Sequence, residues 1–246
     1  MWNVRSAEHK ISEIMQYFSD KTIDIALLSE TWQANALPGK YDSFTAAIKD
    51  FGAAEELDLN CFHCPRLSGR KGGGVATLYK TCHCVKHFSL KHEFETFECV
   101  VTTVEHEKFP FLLGNIYRPP AVPSFNYNNF LDDFANLLML LTYSNKPIVL
   151  AGDFNIKINL PRNPNTLSFS TLLSEFNLTP ILPEFPTHCQ GNTLDFAILS
   201  HSFLSYSPSI SVDSSVTLSD HFPLTLSLTF PSFISSSSSS ATCLKT

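Results

Sequence analysis

Ile148-Val149-Leu150-Ala151-Gly152-Asp153-Phe154-Asn155 is the stretch on which the fold turns. A short apolar run with branched side chains, broken by a glycine, has the signature of a buried strand. Past its C-terminal end stand Asp153 and Asn155. In extended chain, residues two apart face the same side, so carboxylate and amide can address one small target. Open α/β sheets place their ligand chemistry at that end, where loops aim side chains into a crevice. Asp supplies a base or a hard oxygen ligand, and Asn a neutral donor and acceptor. Taken alone, the segment favours a turn, since Gly, Asp and Asn are ordinary turn residues. The rest of the chain decides.

Outward from it, buried strands are predicted at Ile23–Glu30, at Thr193–Leu199 and at Leu224–Leu228. A glycine-rich turn at Gly72-Gly73-Gly74 leads into another strand ending at Tyr79. It lacks the lysine and following helix of a nucleotide-binding loop. Phe97–Val104 and Phe111–Tyr117 form a hairpin around a charged turn, and Arg118-Pro119-Pro120 ends the second strand because proline cannot continue a ladder. Apolar residues at helical spacing predict helices over Glu8–Phe18 and Phe125–Leu141, and over Thr166–Phe176 with Leu167, Thr171 or Leu172, and Phe176 in phase. Trp2-Asn3-Val4 reads as the end of a short or clipped strand, and Gly39–Leu67 as irregular loop. The mixture of hairpins and helices predicts two packed sheets with helices outside, in one domain over 1–230. The serine run Ser235–Ser240 predicts a disordered tail over 231–246.

Composition narrows the class. The 246 residues are 43% apolar and 16% charged, which suits a globular chain with a substantial core. A net charge of -6 does not announce nucleic acid, although Arg66, Arg70, Lys71, Arg118 and Arg162 offer material for a local basic rim. No run is long enough for a membrane span, and no secretory signal follows Met1. Seven cysteines then read as reduced thiols. Cys61-Phe62-His63-Cys64 followed by Cys82-His83-Cys84 suggests zinc, but the second pair is too tight for the usual knuckle, and incidental cysteines are the expectation.

Asn3, Glu30, Tyr117, Asp153, Asn155, Asp195, Asp220 and His221 share one property: each stands at a strand end or within otherwise apolar strand. Asp195, between Leu194 and Phe196, needs a partner, because an unpaired buried carboxylate costs several kcal/mol. A histidine or a divalent metal serves. Singly each has an ordinary structural explanation; together they suit phosphate-ester cleavage.

In order along the chain, Trp2-Asn3-Val4, Ser29-Glu30-Thr31-Trp32, Asn115-Ile116-Tyr117-Arg118-Pro119-Pro120, Gly152-Asp153-Phe154-Asn155, Thr193-Leu194-Asp195 and Ser219-Asp220-His221 carry a resemblance. They resemble the endonuclease/exonuclease/phosphatase superfamily, and within it the apurinic-type endonuclease domain of non-LTR (LINE-type) retrotransposons. The match spans nearly the whole chain. It implies a four-layered α/β sandwich with the site in the cleft at one edge of the two sheets. It implies Mg²⁺-dependent phosphodiester hydrolysis, with Mn²⁺ as a substitute, by a monomeric DNA endonuclease that nicks one strand in the nucleus or otherwise acts in the cytoplasm. Carried over, Glu30 is the principal metal ligand, with Asn3 and Asp220 near the metal. Asp153 orients or deprotonates the attacking water, Asn155 holds it and the phosphate, and His221 stabilises the transition state while Asp195 fixes its tautomer. Tyr117, Arg118 and Thr187 fall at or near the phosphate. Arg5 departs from the pattern, standing where many members carry an acid. Two other expectations stand beside this one: a phosphatase or phosphodiesterase for a smaller ester, such as a phosphoinositide or nucleotide, and an inactive retrotransposon-derived relic.

Overall fold

The computed structural model describes residues 1–32, 43–66, 72–106, 109–120 and 126–229. Its strands, in chain order, begin with β1 (Trp2–Asn3), β2 (Ile25–Ser29), β3 (Leu59–Cys64) and β4 (Val75–Lys80). Next come β5 (Val85–His87), β6 (Glu98–Val104), β7 (Phe111–Tyr117) and β8 (Ile148–Asp153). β9 (Leu178–Ile181), β10 (Asp195–Ser200), β11 (Ser209–Val212) and β12 (Leu224–Ser227) complete the set. Four helices, α1 (Ile11–Asp20), α2 (Ser43–Ala54), α3 (Tyr127–Thr142) and α4 (Pro164–Glu175), and a 3-10 helix at His201–Tyr206 lie between them.

Alternation along the strands builds the layers. In β8, Ile148 and Leu150 join the aromatic core beneath α3 and α4, while Val149 and Ala151 face the other way. In β10, Phe196 and Ile198 go to the helices and Ala197 and Leu199 to the opposite side. That second side packs against Leu27 of β2 and Tyr79 of β4. β2 in turn sends Leu28 outward against Ile14, Met15 and Phe18 of α1 and Phe44 and Ile48 of α2. The result is helix, four-stranded sheet (β1-β2-β4-β3), six-stranded sheet (β5-β6-β7-β8-β10-β9), helix: a four-layered α/β sandwich. β11 and β12 pair separately.

Local chemistry explains the helix starts. Asn126 and Asn129 form a reciprocal capping box at α3, and Asn163 caps α4 ahead of a proline that suits a first helical turn. Two expectations need correction. Gly39–Leu67 is not all irregular: α2 and β3 lie within it. Phe44 and Ile48, four apart, are both buried, and serine, threonine and glycine around them dilute the apolar signal. Helix α4 exists, but its buried face is Thr166, Phe169 and Leu173, and Leu167 points outward. Phe169 sets that rotation by packing among Phe130, Phe134, Phe154 and Phe196. The basic-rim expectation also changes. Arg66 is spent on Glu98, and Arg118 packs over Tyr127 and Phe130; Arg70 and Lys71 lie outside the described residues. The serine run falls outside them too. No helix among the described residues is long and apolar enough to cross a membrane.

Candidate active site

The parity that places Val149 and Ala151 between the sheets carries Asp153 there as well, and the same holds for Tyr117 on β7 and Asp195 on β10. Register then aligns them. Tyr117 pairs with Asp153 across the parallel β7–β8 ladder, and Asp153 pairs with Asp195 across the antiparallel β8–β10 ladder. Three site residues thus form a row at one rim of the sandwich. From the facing sheet, β1 and β2 end side by side, with Asn3 opposite Ser29 and Glu30 immediately after.

The row and the facing sheet are hydrogen-bonded to each other. Asn3 Nδ2 donates to Glu30 Oε1 at 3.0 Å and to Asp153 Oδ2 at 2.9 Å. Its Oδ1 accepts the Arg5 backbone N–H at 3.0 Å, so the partners on both sides fix which way the amide points. Asn3 therefore offers the two carboxylates its N–H groups. Tyr117 Oη donates to Glu30 Oε1 at 2.8 Å, and Trp32 Nε1 to Oε2 at 3.0 Å. Burial first, then the Glu30 charge, pushes the Tyr117 phenol far up, so it remains a donor.

Asp153 is fully buried. Besides Asn3 it accepts the Asn155 backbone N–H at 2.9 Å and Asn155 Nδ2 at 3.2 Å. Asn155 Nδ2 also reaches the Arg118 carbonyl at 2.7 Å. Burial, followed by the charge of Asp195, raises the Asp153 carboxyl well above the usual range. Arg118 braces this turn, with Nη1 3.3 and 3.2 Å from the Phe154 and Asn155 carbonyls. Glu30 (φ 54°) and Asn155 (φ 49°) both hold left-handed backbone, uncommon for residues with side chains and a feature that clusters at functional sites.

Across the cleft, His221 Nδ1 lies 2.7 Å from Asp195 Oδ2. Thr187 Oγ1 donates to the same oxygen at 2.8 Å and accepts the Leu194 and Asp195 backbone N–H groups. His221 Nε2 is then turned toward Asp153 Oδ2, 3.8 Å away and beyond hydrogen-bonding range. Burial opposes a charge on His221, but Asp195, Asp153 and Asp220 outweigh it and hold the imidazolium to about 9. The Asp220 carboxylate is paired with Arg5.

Which groups suit a metal follows from this bonding. Asp153, Asp195 and His221 lie close enough together to hold an ion, as do His188, Asp220 and His221. Yet His221, common to both groups, is committed through Nδ1 to Asp195 and held as an imidazolium, whose nitrogens have no lone pair for an ion. Glu30 fits a hard divalent cation better: a carboxylate oriented by three neutral donors, with a lone pair left on Oε2.

Three contributors went unassigned in the sequence. Trp32 orients Glu30, and His188 lays its ring edge-on to His221 at 4.7 Å. Asn115 reaches from β7 across to the Leu28 and Ala76 carbonyls of the other sheet, both at 2.9 Å. Asn115 shares the parity of Tyr117, which is the signal that would have found it.

Solved structures share this architecture. The endonuclease domain of TRAS1, a telomere-specific non-LTR retrotransposon, superposes with a TM-score of 0.68 at 13% identity, covering 93% of this chain and 95% of that one. The AP endonuclease LMAP from Leishmania major gives 0.71 at 17%, covering 94% and 86%. A 3′ phosphatase, NExo from Neisseria, bound to a product DNA hairpin, gives 0.62 at 17%, covering 93% and 98%. At these identities the likeness speaks for the fold. No protein of curated function matches the chain. Residues 2–221 match the sequence pattern of one family, and on that match the chain belongs to the Endonuclease/Exonuclease/phosphatase family.

Proposed function

We propose that the chain is a divalent-metal-dependent phosphodiesterase that nicks one strand of DNA. The family generally hydrolyses phosphodiester bonds and generally depends on divalent metal. The observation that carries the reading is the bonded row from Glu30 through Asn3 to Asp153, faced at 3.8 Å by the Nε2 of a histidine fixed on Asp195.

Each group then has a task. Glu30 is the residue that would hold Mg²⁺ or Mn²⁺, and such an ion supplies Lewis-acid stabilisation of the phosphate. Asp153, with its raised carboxyl, takes a proton from the attacking water, since a base works best when its pKa approaches the working pH. Asn155 keeps that carboxylate aimed. As the water oxygen bonds to phosphorus and the P–O bond to the leaving oxygen breaks, negative charge gathers on the non-bridging oxygens. His221 Nε2 donates to one of them, and Asp195 keeps the donating tautomer in place. Removing a donor of this kind costs about 3–4 kcal/mol of transition-state stabilisation.

DNA as substrate is supported by the retrotransposon-like segments Ser29-Glu30-Thr31-Trp32 and Tyr117-Arg118-Pro119-Pro120 and by the product DNA hairpin bound to the similar 3′ phosphatase NExo. A chromosomal target would place the protein in the nucleus. The net charge of -6 favours a second reading, hydrolysis of a smaller phosphate ester. Supercoiled plasmid with Mg²⁺ separates the two. Conversion to open circle, abolished by EDTA and by His221→Ala, is the expected result. Intact plasmid together with phosphate release from nucleotides or inositol phosphates by the folded protein would establish the second reading. Inactivity on every substrate would leave a non-catalytic relic.

A further inference from the structure

We infer that Arg5 removes Asp220 from the cation's ligand set and leaves Glu30 as its sole carboxylate anchor. The inference rests on the metal-dependent reading above and concerns how this chain in particular carries it out.

Backbone geometry fixes Arg5 at the rim of the cleft. Arg5 and Ser6 are both left-handed, with φ of 42° and 76°. The turn they make is tied to the Glu30 turn: Ser6 N–H donates to the Glu30 carbonyl at 2.8 Å and Ala7 N–H to the Thr31 carbonyl at 3.0 Å. Lys10 Nζ caps the Val4 and Arg5 carbonyls at 3.0 and 3.1 Å. The side chain crosses from there to the loop before β12 and takes Asp220 Oδ2. Asp220's other oxygen accepts Ser219 Oγ at 3.3 Å, and its backbone carbonyl accepts Cys189 N–H at 2.9 Å. His188 Nδ1 accepts the Gln190 backbone N–H at 3.1 Å. With that nitrogen occupied, the neutral ring carries its proton on Nε2, 3.7 Å from Asp220 Oδ2. The Asp220 carboxylate thus has a donor on each oxygen, Arg5 on one and Ser219 on the other, the first carrying a full positive charge.

A carboxylate already neutralised by a guanidinium gains little from a divalent ion, and the two cations repel each other. Glu30 has only uncharged donors on its oxygens. The cation therefore goes to Glu30, and Arg5 is a positioning residue that acts through Asp220.

The test is Mn²⁺ binding to DNA-free protein, followed by electron paramagnetic resonance, with circular dichroism to establish that each variant is folded. Asp220→Asn should leave the Kd within about twofold of the parent, whereas Glu30→Gln should weaken it by about tenfold or more. Arg5→Ala should tighten binding by about fivefold or more as Asp220 becomes a ligand, and adding Asp220→Asn to that background should reverse the gain. A tenfold loss from Asp220→Asn alone, or no change from Arg5→Ala, would overturn the assignment while leaving metal dependence intact. A folded parent that binds no Mn²⁺ would overturn both.

Discussion

At the scale of single residues, the pair His221–Asp195 decides most. The apolar neighbours Leu194 and Phe196 already demand a partner for Asp195, and the structure supplies two, His221 and Thr187. What no sequence pattern could show is direction: that Asn3 turns its N–H groups to Glu30 and Asp153, or that Arg5 reaches Asp220. Those depend on left-handed turns at Arg5, Ser6 and Glu30, where the chain holds conformations that its residue types do not advertise. Asp195→Asn keeps the shape of the side chain but removes the charge that favours His221 protonated at Nδ1. We expect kcat to fall by about 100-fold or more with little change in KM, by the logic of orienting carboxylates in histidine-based sites. Steady-state kinetics on a nicked-product assay provide the check. A fall in stability of the same variant without loss of kcat would instead assign Asp195 a purely structural task.

At the scale of elements, β8 is legible because its signal is dense, and the close approach behind it is not. Gly152 has φ +147°, and a Cβ there would lie 2.0 Å from the Ile116 carbonyl oxygen of β7. Only glycine lets β8 bend past β7 and deliver Asp153 to the rim. Gly152→Ala should cost about 3 kcal/mol or more, or prevent folding, because the clash is with backbone. Gly191 is the control. It is also left-handed, at φ +80°, but has nothing within 4 Å of an added Cβ, so Gly191→Ala should cost only about 1 kcal/mol of conformational strain. Equal losses in urea denaturation would show that conformation rather than crowding selects glycine at 152. By contrast, α2 and β3 were hidden because Ser43, Thr45, Gly52, Asn60 and His63 interrupt the apolar periods that Phe44, Ile48, Leu59 and Cys61 supply. The rotation of α4 was hidden for another reason: helical periodicity shows that a face exists, but the aromatic cluster beneath it chooses which one.

At the scale of the whole molecule, the two sheets meet through an apolar middle layer that Asn115 crosses as a buried polar tie, in addition to the hydrogen bonds at the rim of the site. Its two donors satisfy carbonyls on β2 and β4, so Asn115→Leu should cost about 2 kcal/mol, and Asn115→Asp more, since it buries a carboxylate against those carbonyls. A second tie joins α1 to the segment after β11. Lys21 Nζ lies 2.8 Å from Asp213 Oδ2, and Ser215 donates to Oδ1 through both its hydroxyl and its backbone N–H. Lys21, then Ser215, holds the Asp213 carboxyl down at about 2. The sign follows directly. A carboxyl whose folded value lies below its unfolded one stabilises the protein above the unfolded value of about 4, and that contribution is lost as pH falls from about 4 toward 2. Lys21 is half exposed, so solvent screening limits the contribution to about 1 kcal/mol. Asp213→Asn should therefore lower the thermal midpoint by about 2–4 °C at pH 7. The gap between parent and variant should close as pH falls through 4, and it should shrink in high salt because the pair is partly exposed. A gap that stays constant from pH 7 down to acid unfolding would mean that Asp213 acts through its hydrogen bonds to Ser215, which an asparagine oxygen can partly replace, and not through the charge on Lys21.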